Sequence, residues 1–274
     1  MHKEYYTLIT GASEGFGKAL AIECAYRKMN LILVSLPQTG LSHLASFIEK
    51  NFEVKVVYFE YDLTKKENYC LLFLKIKEQL LSVNILINNA GMGGTHYFTE
   101  RDTDYYCRQI ELNIVAPTLL THLFINNLEK EEPAYILNVS SLASFFYLPR
   151  KQVYGGTKSY LVSFSKSLRR ELKHKKIYVS TVCPGGMNTS IPLIMINKTG
   201  NRISRWSVMD PEDVAKIAIE KMLQNKEIII PGNLNRLFLL FDKLLPSIIK
   251  NTLTGKLMKQ LKPALSYSPS PGII

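Results

Sequence analysis

The sequence has few of the features that mark secreted, metal-binding or membrane-spanning proteins. Its four cysteines, Cys24, Cys70, Cys107 and Cys183, lie far apart and lack the short spacings of metal sites or disulfide frameworks. No apolar run reaches the roughly 20 residues that a membrane-spanning helix needs, and no secretory signal is visible at the start. We therefore expect buried thiols, no metal ion and a protein that starts in the cytosol.

Internal repeats and low-complexity tracts are missing too, and the composition is that of a globular protein. Hydrophobic residues make up 46% and charged residues 21% of the 274 positions, which excludes a disordered or fibrous class. The net charge of +11 suits an anionic partner such as a phosphorylated cofactor or a membrane surface. Because no zinc-finger spacing or aromatic-basic motif accompanies this charge, we expect no nucleic acid partner.

Short apolar segments of strand type alternate with segments whose apolar residues recur every three or four positions. The strand segments are residues 5–10, 31–36, 54–61, 84–87, 134–140, 177–183 and 227–230. The helical segments are residues 16–28, 41–49, 65–80, 103–128, 153–174 and 211–224. This alternation predicts an α/β protein with a doubly wound parallel sheet, a Rossmann fold with helices on both faces. Its ligand crevice would lie at the carboxyl ends of the strands.

Tyr154 and Lys158 stand four positions apart on a predicted helix, so their side chains share one face. A neighbouring ammonium group favours the phenolate and lowers the pKa of a tyrosine, which can then exchange protons near neutral pH. Alone, the spacing is more typical of a solvated helix face. Gly155 and Gly156 weaken the helix, which indicates a backbone that another group approaches closely.

The first strand leads into a glycine-rich turn, residues 10–18, with glycine at positions 11, 15 and 17. Glycine at such positions permits a tight turn, close approach of the backbone to a pyrophosphate, and close packing of the next helix. A turn of this kind can also exist without a ligand. Its place after the first strand of a βαβ unit favours dinucleotide binding.

Other polar motifs follow in order at the strand ends and on the long helices. They are Asp62-Leu63, Asn88-Asn89-Ala90-Gly91, Asn113, Ser140-Ser141, Tyr154 with Lys158, and Pro184-Gly185 with Thr189. With the glycine turn, this series resembles the short-chain dehydrogenase/reductase family, of the shorter, classical type, over residues 5–190. The chain departs from the family pattern at Phe16, where isoleucine is common, and at Gly156-Thr157, where Ala-Ser usually precedes the lysine.

The resemblance implies a catalytic role for each of four residues. Tyr154 would give a proton to a carbonyl oxygen during reduction, or take one from an alcohol during oxidation. Lys158 would lower the pKa of that tyrosine and hold the ribose hydroxyls of the nicotinamide half. Ser141, rather than Ser140, would hydrogen-bond the carbonyl oxygen where negative charge develops. Asn113 would anchor a water that links Lys158 to solvent.

The resemblance also implies a set of cofactor-binding residues. They are Thr10, Gly11, Ser13, Gly15, Phe16, Gly17, Ser35, Asp62, Leu63, Asn89, Ala90, Gly91, Tyr154, Lys158, Pro184, Gly185 and Thr189. Asp62 would bond the adenine edge, residues 89–91 would pass the adenosine side, and residues 184, 185 and 189 would border the nicotinamide. Ser35 stands where an acid would select NAD, and Leu36 where an arginine would favour NADP. Because Ser35 and the positive field suit a phosphate, although Glu14 opposes one, we favour NADP(H) over NAD(H).

Two apolar segments, residues 142–148 and 187–196, flank the predicted site. They suit an apolar carbonyl or alcohol substrate such as a ketoacyl, lipid or steroid-like compound. Packing in the protein core is the alternative explanation for both segments. The sequence thus predicts an NAD(P)(H)-dependent carbonyl reductase or alcohol dehydrogenase. Two alternatives stay open. One is a dinucleotide-binding regulator that has lost catalysis, and the other is a sugar-nucleotide epimerase or dehydratase, which the glycine spacing and the chain length disfavour.

The C-terminal part combines leucines and phenylalanines with frequent lysines over residues 234–262. We expect residues 1–232 to form the catalytic domain and residues 233–274 an amphipathic basic extension of it. Such an extension can cover the substrate cleft, contact a second subunit or lie on a lipid surface. We expect a dimer or tetramer, and a cytoplasmic protein for which peripheral membrane contact is the alternative.

Overall fold

The structure is a computed structural model that describes residues 3–189 and 207–244. Its strands are β1 Tyr5–Thr10, β2 Asn30–Ser35, β3 Val56–Glu60, β4 Ser82–Asn88, β5 Ala134–Val139, β6 Ile177–Val182 and β7 Ile228–Ile229. They form one parallel sheet in the order β3-β2-β1-β4-β5-β6-β7. The order reverses between β1 and β4, and such a switch point is where open α/β sheets bind ligands. The predicted doubly wound sheet is confirmed.

Helices cover both faces of this sheet. They are α1 Gly15–Tyr26, α2 Leu41–Phe52, α3 Lys66–Glu78, α4 Thr103–Ile110, α5 Ala116–Leu128, α6 Gln152–Glu171, α7 Pro211–Leu223 and α8 Asn233–Leu244. Leu8 and Ile9 are neighbours in β1, and their side chains point to opposite faces. Ile9 belongs to a buried cluster with residues of α1, α2 and α7, and Leu8 to one with residues of α3 and α5. Two apolar layers therefore hold the strand ends in place.

The predicted helix 103–128 is interrupted by a π-helical segment, Glu111–Val115, between α4 and α5. Pro117 explains the interruption, because it has no amide hydrogen for the carbonyl of Asn113 four residues earlier. A helix that continued regularly through this point would also bring the proline ring against that carbonyl. The π-helical segment turns Asn113 fully into the protein, at 0% exposure.

The last described helix places Asn235 inside the fold, at 2% exposure, and leaves Leu237 and Leu240 on the surface. Most of the apolar segment 187–196 and the extension after residue 244 lie outside the described residues. Within the described ranges, no helix is long and apolar enough to cross a membrane. The boundary after residue 232 stays a prediction.

The cysteines are only partly as expected. Cys24 and Cys183 are buried, but Cys70 and Cys107 are exposed. The prediction of buried thiols is therefore wrong for these two, which lie on the solvent sides of α3 and α4.

Candidate active site

The turn between β1 and α1 offers its backbone to a ligand. Gly11 and Gly15 have φ angles of +65° and +52°, in the left-handed region that glycine adopts without strain. A methyl group on Gly17 would lie 1.8 Å from the carbonyl oxygen of Gly11, so α1 passes directly against the turn. The N-cap residue Glu14 makes no side-chain hydrogen bond to the helix start. The first amides of α1 therefore form the kind of helix end that binds phosphate groups.

Thr10 and Asn89 hold this turn against the end of β4. The Thr10 hydroxyl accepts hydrogen bonds from the amides of Asn89 and Ala90, each at 3.0 Å. The Asn89 side-chain amide donates to the carbonyls of Thr10 at 2.9 Å and Gly11 at 3.0 Å. Both side chains are buried, as is that of Phe16, which lies in the apolar core. These three residues can meet a cofactor only through their backbone.

A shallow groove lies beside the turn, between the ends of β1, β2 and β3. Its lining consists of Gly11, Ser35, Leu36, Tyr61, Leu63, Ala90 and Leu112. The hydroxyls of Ser13 and Ser35 lie 2.7 Å apart. A carboxylate oxygen of Asp62 accepts from the Thr64 amide at 2.9 Å and the Thr64 hydroxyl at 2.7 Å. The sequence did not indicate Tyr61 or Leu112, because neither belongs to a recognisable motif.

Tyr154, Lys158 and Ser141 come together where α6 passes the ends of β5 and β6. The Ser141 side chain lies close enough to the Tyr154 phenol to act on its pKa, and its hydroxyl oxygen accepts from the Ala143 amide at 3.2 Å. The Lys158 ammonium donates to the carbonyl oxygen of Val139 at 2.8 Å and lies 5.9 Å from the centre of the Tyr154 ring. The Ser140 hydroxyl donates to the Lys158 carbonyl oxygen at 2.7 Å and is buried. Of the two adjacent serines, only Ser141 is directed at the tyrosine.

Asn113 reaches this group from the π-helical segment. Its side-chain oxygen accepts from the Met92 amide at 2.7 Å, and its side-chain nitrogen donates to the Met92 carbonyl and the Thr157 hydroxyl, each at 3.0 Å. A methyl group on Gly91 would lie 3.1 Å from the Lys158 nitrogen and 3.2 Å from the Asn113 oxygen. Gly91 thus makes room for these two side chains, and its predicted place on the adenosine side stays a prediction.

The pKa values differ from our expectation. Burial raises the pKa of Tyr154, and the Ser141 side chain acts in the opposite direction. Burial also lowers the pKa of Lys158 to about 8. The expectation that Lys158 lowers the pKa of Tyr154 is therefore not met in this structure. Both groups are withdrawn from water, and desolvation disfavours the charged form of each.

The burial of Lys158 predicts a pH-dependent stability. In the unfolded chain its pKa is near 10.5 and in the folded protein about 8. The lysine therefore lowers the free energy of unfolding below pH 8, and this penalty disappears as the pH rises to 10.5. Between these two pH values, wild type should gain up to about 3 kcal/mol relative to Lys158→Met.

Urea unfolding of both proteins at the two pH values measures this difference. Lys173→Met is the matched control, because Lys173 is exposed just after α6. A difference between wild type and Lys158→Met that does not change with pH contradicts the burial of a charged Lys158.

The loop after β6 completes the site. A methyl group on Gly185 would lie 2.8 Å from the side-chain nitrogen of Asn235, which donates to the Pro231 carbonyl at 2.9 Å. Thr189 lies against Gly15: its Cβ atom is 3.3 Å from the position that a Cβ atom on Gly15 would take. Pro184 is buried. The structure thus brings Thr189 to the glycine turn, and it adds Asn235 as a support that no sequence motif indicated. The place of Thr189 beside the nicotinamide stays a prediction.

Comparison with known proteins decides the family. A family model described as short chain dehydrogenase matches residues 6–193. The chain belongs to the short-chain dehydrogenase family. It is 31% identical over 213 residues to human 17-beta-hydroxysteroid dehydrogenase type 3, covering 74% of this chain and 67% of that protein. It is 29% identical to the very-long-chain 3-oxoacyl-CoA reductase of Bos taurus, covering 78% of this chain and 67% of that one.

Solved structures share the fold of the described residues. A bulky-bulky ketone specific alcohol dehydrogenase from Comamonas testosteroni superposes with a TM-score of 0.75 at 27% identity, covering 98% of this chain and 100% of that one. A short-chain dehydrogenase from Sphingobium yanoikuyae, solved with NADPH, has a TM-score of 0.77 at 26% identity, covering 97% and 99%. The chain is an NAD(P)-dependent oxidoreductase that interconverts a carbonyl and an alcohol. The regulator and the epimerase alternatives are not favoured.

Proposed function

We propose that this enzyme is a carbonyl reductase that converts a bulky apolar ketone into a secondary alcohol, with NADPH as hydride donor and Tyr154 as proton donor. The observation that carries the proposal is the meeting of Tyr154, Ser141 and Lys158 at one place, where the Lys158 ammonium lies 5.9 Å from the centre of the Tyr154 ring and Ser141 acts on the pKa of the phenol. A phenol and a hydroxyl at one point can together hold a carbonyl oxygen and give it a proton.

The residues around the glycine turn fit a dinucleotide. The amides at the start of α1 would hold its pyrophosphate, and the groove between Ser35 and Leu112 its adenosine. Lys158 would hold the ribose hydroxyls of the nicotinamide half, while Pro184, Gly185 and Thr189 border that half. When bound, the nicotinamide cofactor supplies the hydride.

The chain's own residues then manage the proton. Tyr154 gives its phenol proton to the carbonyl oxygen, and Ser141 donates a hydrogen bond to that oxygen as negative charge develops there. A raised pKa suits Tyr154 to this role, because it keeps the phenol protonated before the reaction. Lys158 and the water that we assign to Asn113 would return a proton to the tyrosine.

The segment after Ser141 supports an apolar substrate. Leu142, Phe145, Phe146 and Leu148 are half-buried, and Tyr147 is 97% exposed. Relatives named for hydroxysteroids and for bulky ketones fit the same class.

A panel of ketones, neutral and acidic, small and bulky, tests the proposal. Turnover with NADPH is followed by the loss of nicotinamide absorbance. Turnover that rises with apolar size is expected, and no turnover with any ketone or alcohol would contradict it.

The preference for NADP(H) is part of the proposal. The paired hydroxyls of Ser13 and Ser35 can donate to a 2′-phosphate, and no carboxylate occupies position 35 to repel it. NADPH should raise the melting temperature more than NADH at equal concentration, and added salt should reduce the difference. Ser35→Asp should reverse the order. An equal or larger shift with NADH in wild type would overturn the preference.

We also propose a cytoplasmic homo-oligomer whose interface includes the outer side of α8. Leu237 and Leu240 are exposed there, and burying such side chains stabilises an interface. Leu240→Glu should then lower the mass in solution. An unchanged mass together with lost binding to anionic vesicles would favour peripheral membrane contact instead.

A further inference from the structure

Lys151 stands beside the proposed proton donor. It immediately precedes α6, of which Tyr154 is the third residue. Its ammonium nitrogen lies 5.2 Å from the centre of the Tyr154 ring, closer than that of Lys158 at 5.9 Å. The proton-transfer chemistry described above does not use this second lysine.

The Lys151 ammonium has little to balance its charge. Its hydrogen bond goes to the Gly94 carbonyl and is long, at 3.4 Å. None of the ion pairs among residues 3–189 and 207–244 includes it. Glu100, whose charge acts on the neighbouring His96, accepts a hydrogen bond from the Tyr97 amide at 2.7 Å. Lys151 is half-buried, and this burial lowers the pKa of its ammonium group, so an anion that joined it would offset part of the cost of desolvation.

The surroundings add positive potential at the same place. Lys151 is the N-cap of a helix of 20 residues, and it makes no side-chain capping bond. The first turn of α6 contains no acidic residue, so the positive end of the helix dipole is unopposed there. Burial is the largest cause that lowers the pKa of His96; the charges on Arg101 and Lys151 act in the same direction, and the charge on Glu100 acts against them.

We propose that Lys151 is a specificity-determining residue that binds a carboxylate of the substrate, so that the enzyme prefers keto acids to neutral ketones. The inference rests on the proposed function, because Tyr154 must hold the ketone oxygen. Lys151 is close to Tyr154, so only a carboxylate a few bonds from the ketone can reach it, as in a β- or γ-keto acid. The apolar segment 142–148, which ends just before this lysine, would receive the rest of the substrate.

The test compares an acid with its ester. Benzoylacetate and ethyl benzoylacetate carry the same bulky group and the same ketone, but only the first carries the charge. For wild type, kcat/KM with NADPH should be higher for the acid. Lys151→Met should lower the acid-to-ester ratio by at least about tenfold, the scale of a hydrogen bond to a charged group.

Two further variants test whether the acid-to-ester ratio depends on the positive charge at position 151. Lys151→Arg should retain most of the preference, because it keeps the charge. Lys173→Met removes one positive charge from the exposed surface and should keep the wild-type ratio. A general effect of Lys151 on the reactivity of Tyr154 changes both rates together and leaves the ratio constant.

The outcomes separate this inference from the proposed function. Turnover of both compounds with the same ratio in wild type and Lys151→Met overturns the role of Lys151 and leaves the reductase. Turnover of neither compound, nor of any other ketone, overturns the reductase. The role of Lys151 is then decided with NADP present: benzoylacetate should raise the melting temperature of wild type more than that of Lys151→Met, and equal shifts overturn it.

Discussion

Tyr154→Phe should lower kcat by at least about a hundredfold and leave NADPH binding intact. The scale is that of general acid catalysis by one positioned side chain. Phenylalanine keeps the ring that lies between 5 and 6 Å from the ammonium groups of Lys151 and Lys158, and removes only the phenol hydroxyl. Steady-state kinetics gives kcat, and the change of melting temperature with NADPH reports binding.

Tyr160→Phe is the matched control. It removes a hydroxyl from the same helix, where that group lies 3.0 Å from the Thr118 hydroxyl on the exposed surface. This variant should keep the activity of wild type. A folded Tyr154→Phe protein with nearly normal turnover would show that another group supplies the proton.

Gly17→Ala should abolish NADPH binding and lower the free energy of unfolding. The same change at Gly156 should instead raise the free energy of unfolding slightly. The new methyl group on Gly17 would lie 1.8 Å from the Gly11 carbonyl oxygen, which is backbone and cannot rotate away. Overpacking of this kind costs about 1–3 kcal/mol or more. Because the displaced backbone belongs to the phosphate-binding turn, the loss of cofactor affinity should exceed the loss of stability.

Gly156→Ala serves as the comparison. Gly156 lies in α6 with open space around it, so a methyl group there meets nothing within 4 Å. Alanine favours a helix by about 1 kcal/mol over glycine, and this variant should be slightly more stable than wild type. Urea unfolding and NADPH titration measure both effects. If Gly17→Ala binds NADPH as wild type does, the turn does not hold the cofactor.

The sheet and the glycine turn could be predicted because local chemistry determines them. Apolar segments that are too short for helices alternate with amphipathic helical segments. A parallel sheet with helices on both faces buries the apolar strands and the apolar sides of the helices together. The close contact at Gly17 and the positive φ angle at Gly11 leave glycine as the residue that fits. The apolar pattern and the glycines themselves are visible in the sequence, so the sheet and the turn could be predicted without knowledge of distant partners.

The details of the site depend on contacts between distant segments, which the sequence pattern does not contain. The π-helical segment could have been suspected from Pro117, but the partners of Asn113, at Met92 and Thr157, come from other elements. The pKa values of Tyr154 and Lys158 follow from burial, whereas spacing along a helix suggests only their mutual attraction. Lys151 belongs to no motif, and the role that we propose for it rests on its distance from the tyrosine.

Direct transfer of hydrogen from the cofactor to a ketone tests the central claim most directly. NADPH deuterated at the transferable position of the nicotinamide is incubated with the enzyme and the bulky ketone that the panel selects, and the product is examined by mass spectrometry. The account predicts an alcohol with one deuterium on the carbinol carbon, formed by wild type and at least about a hundredfold more slowly by Tyr154→Phe. An alcohol without deuterium, or equal rates for the two proteins, would contradict it.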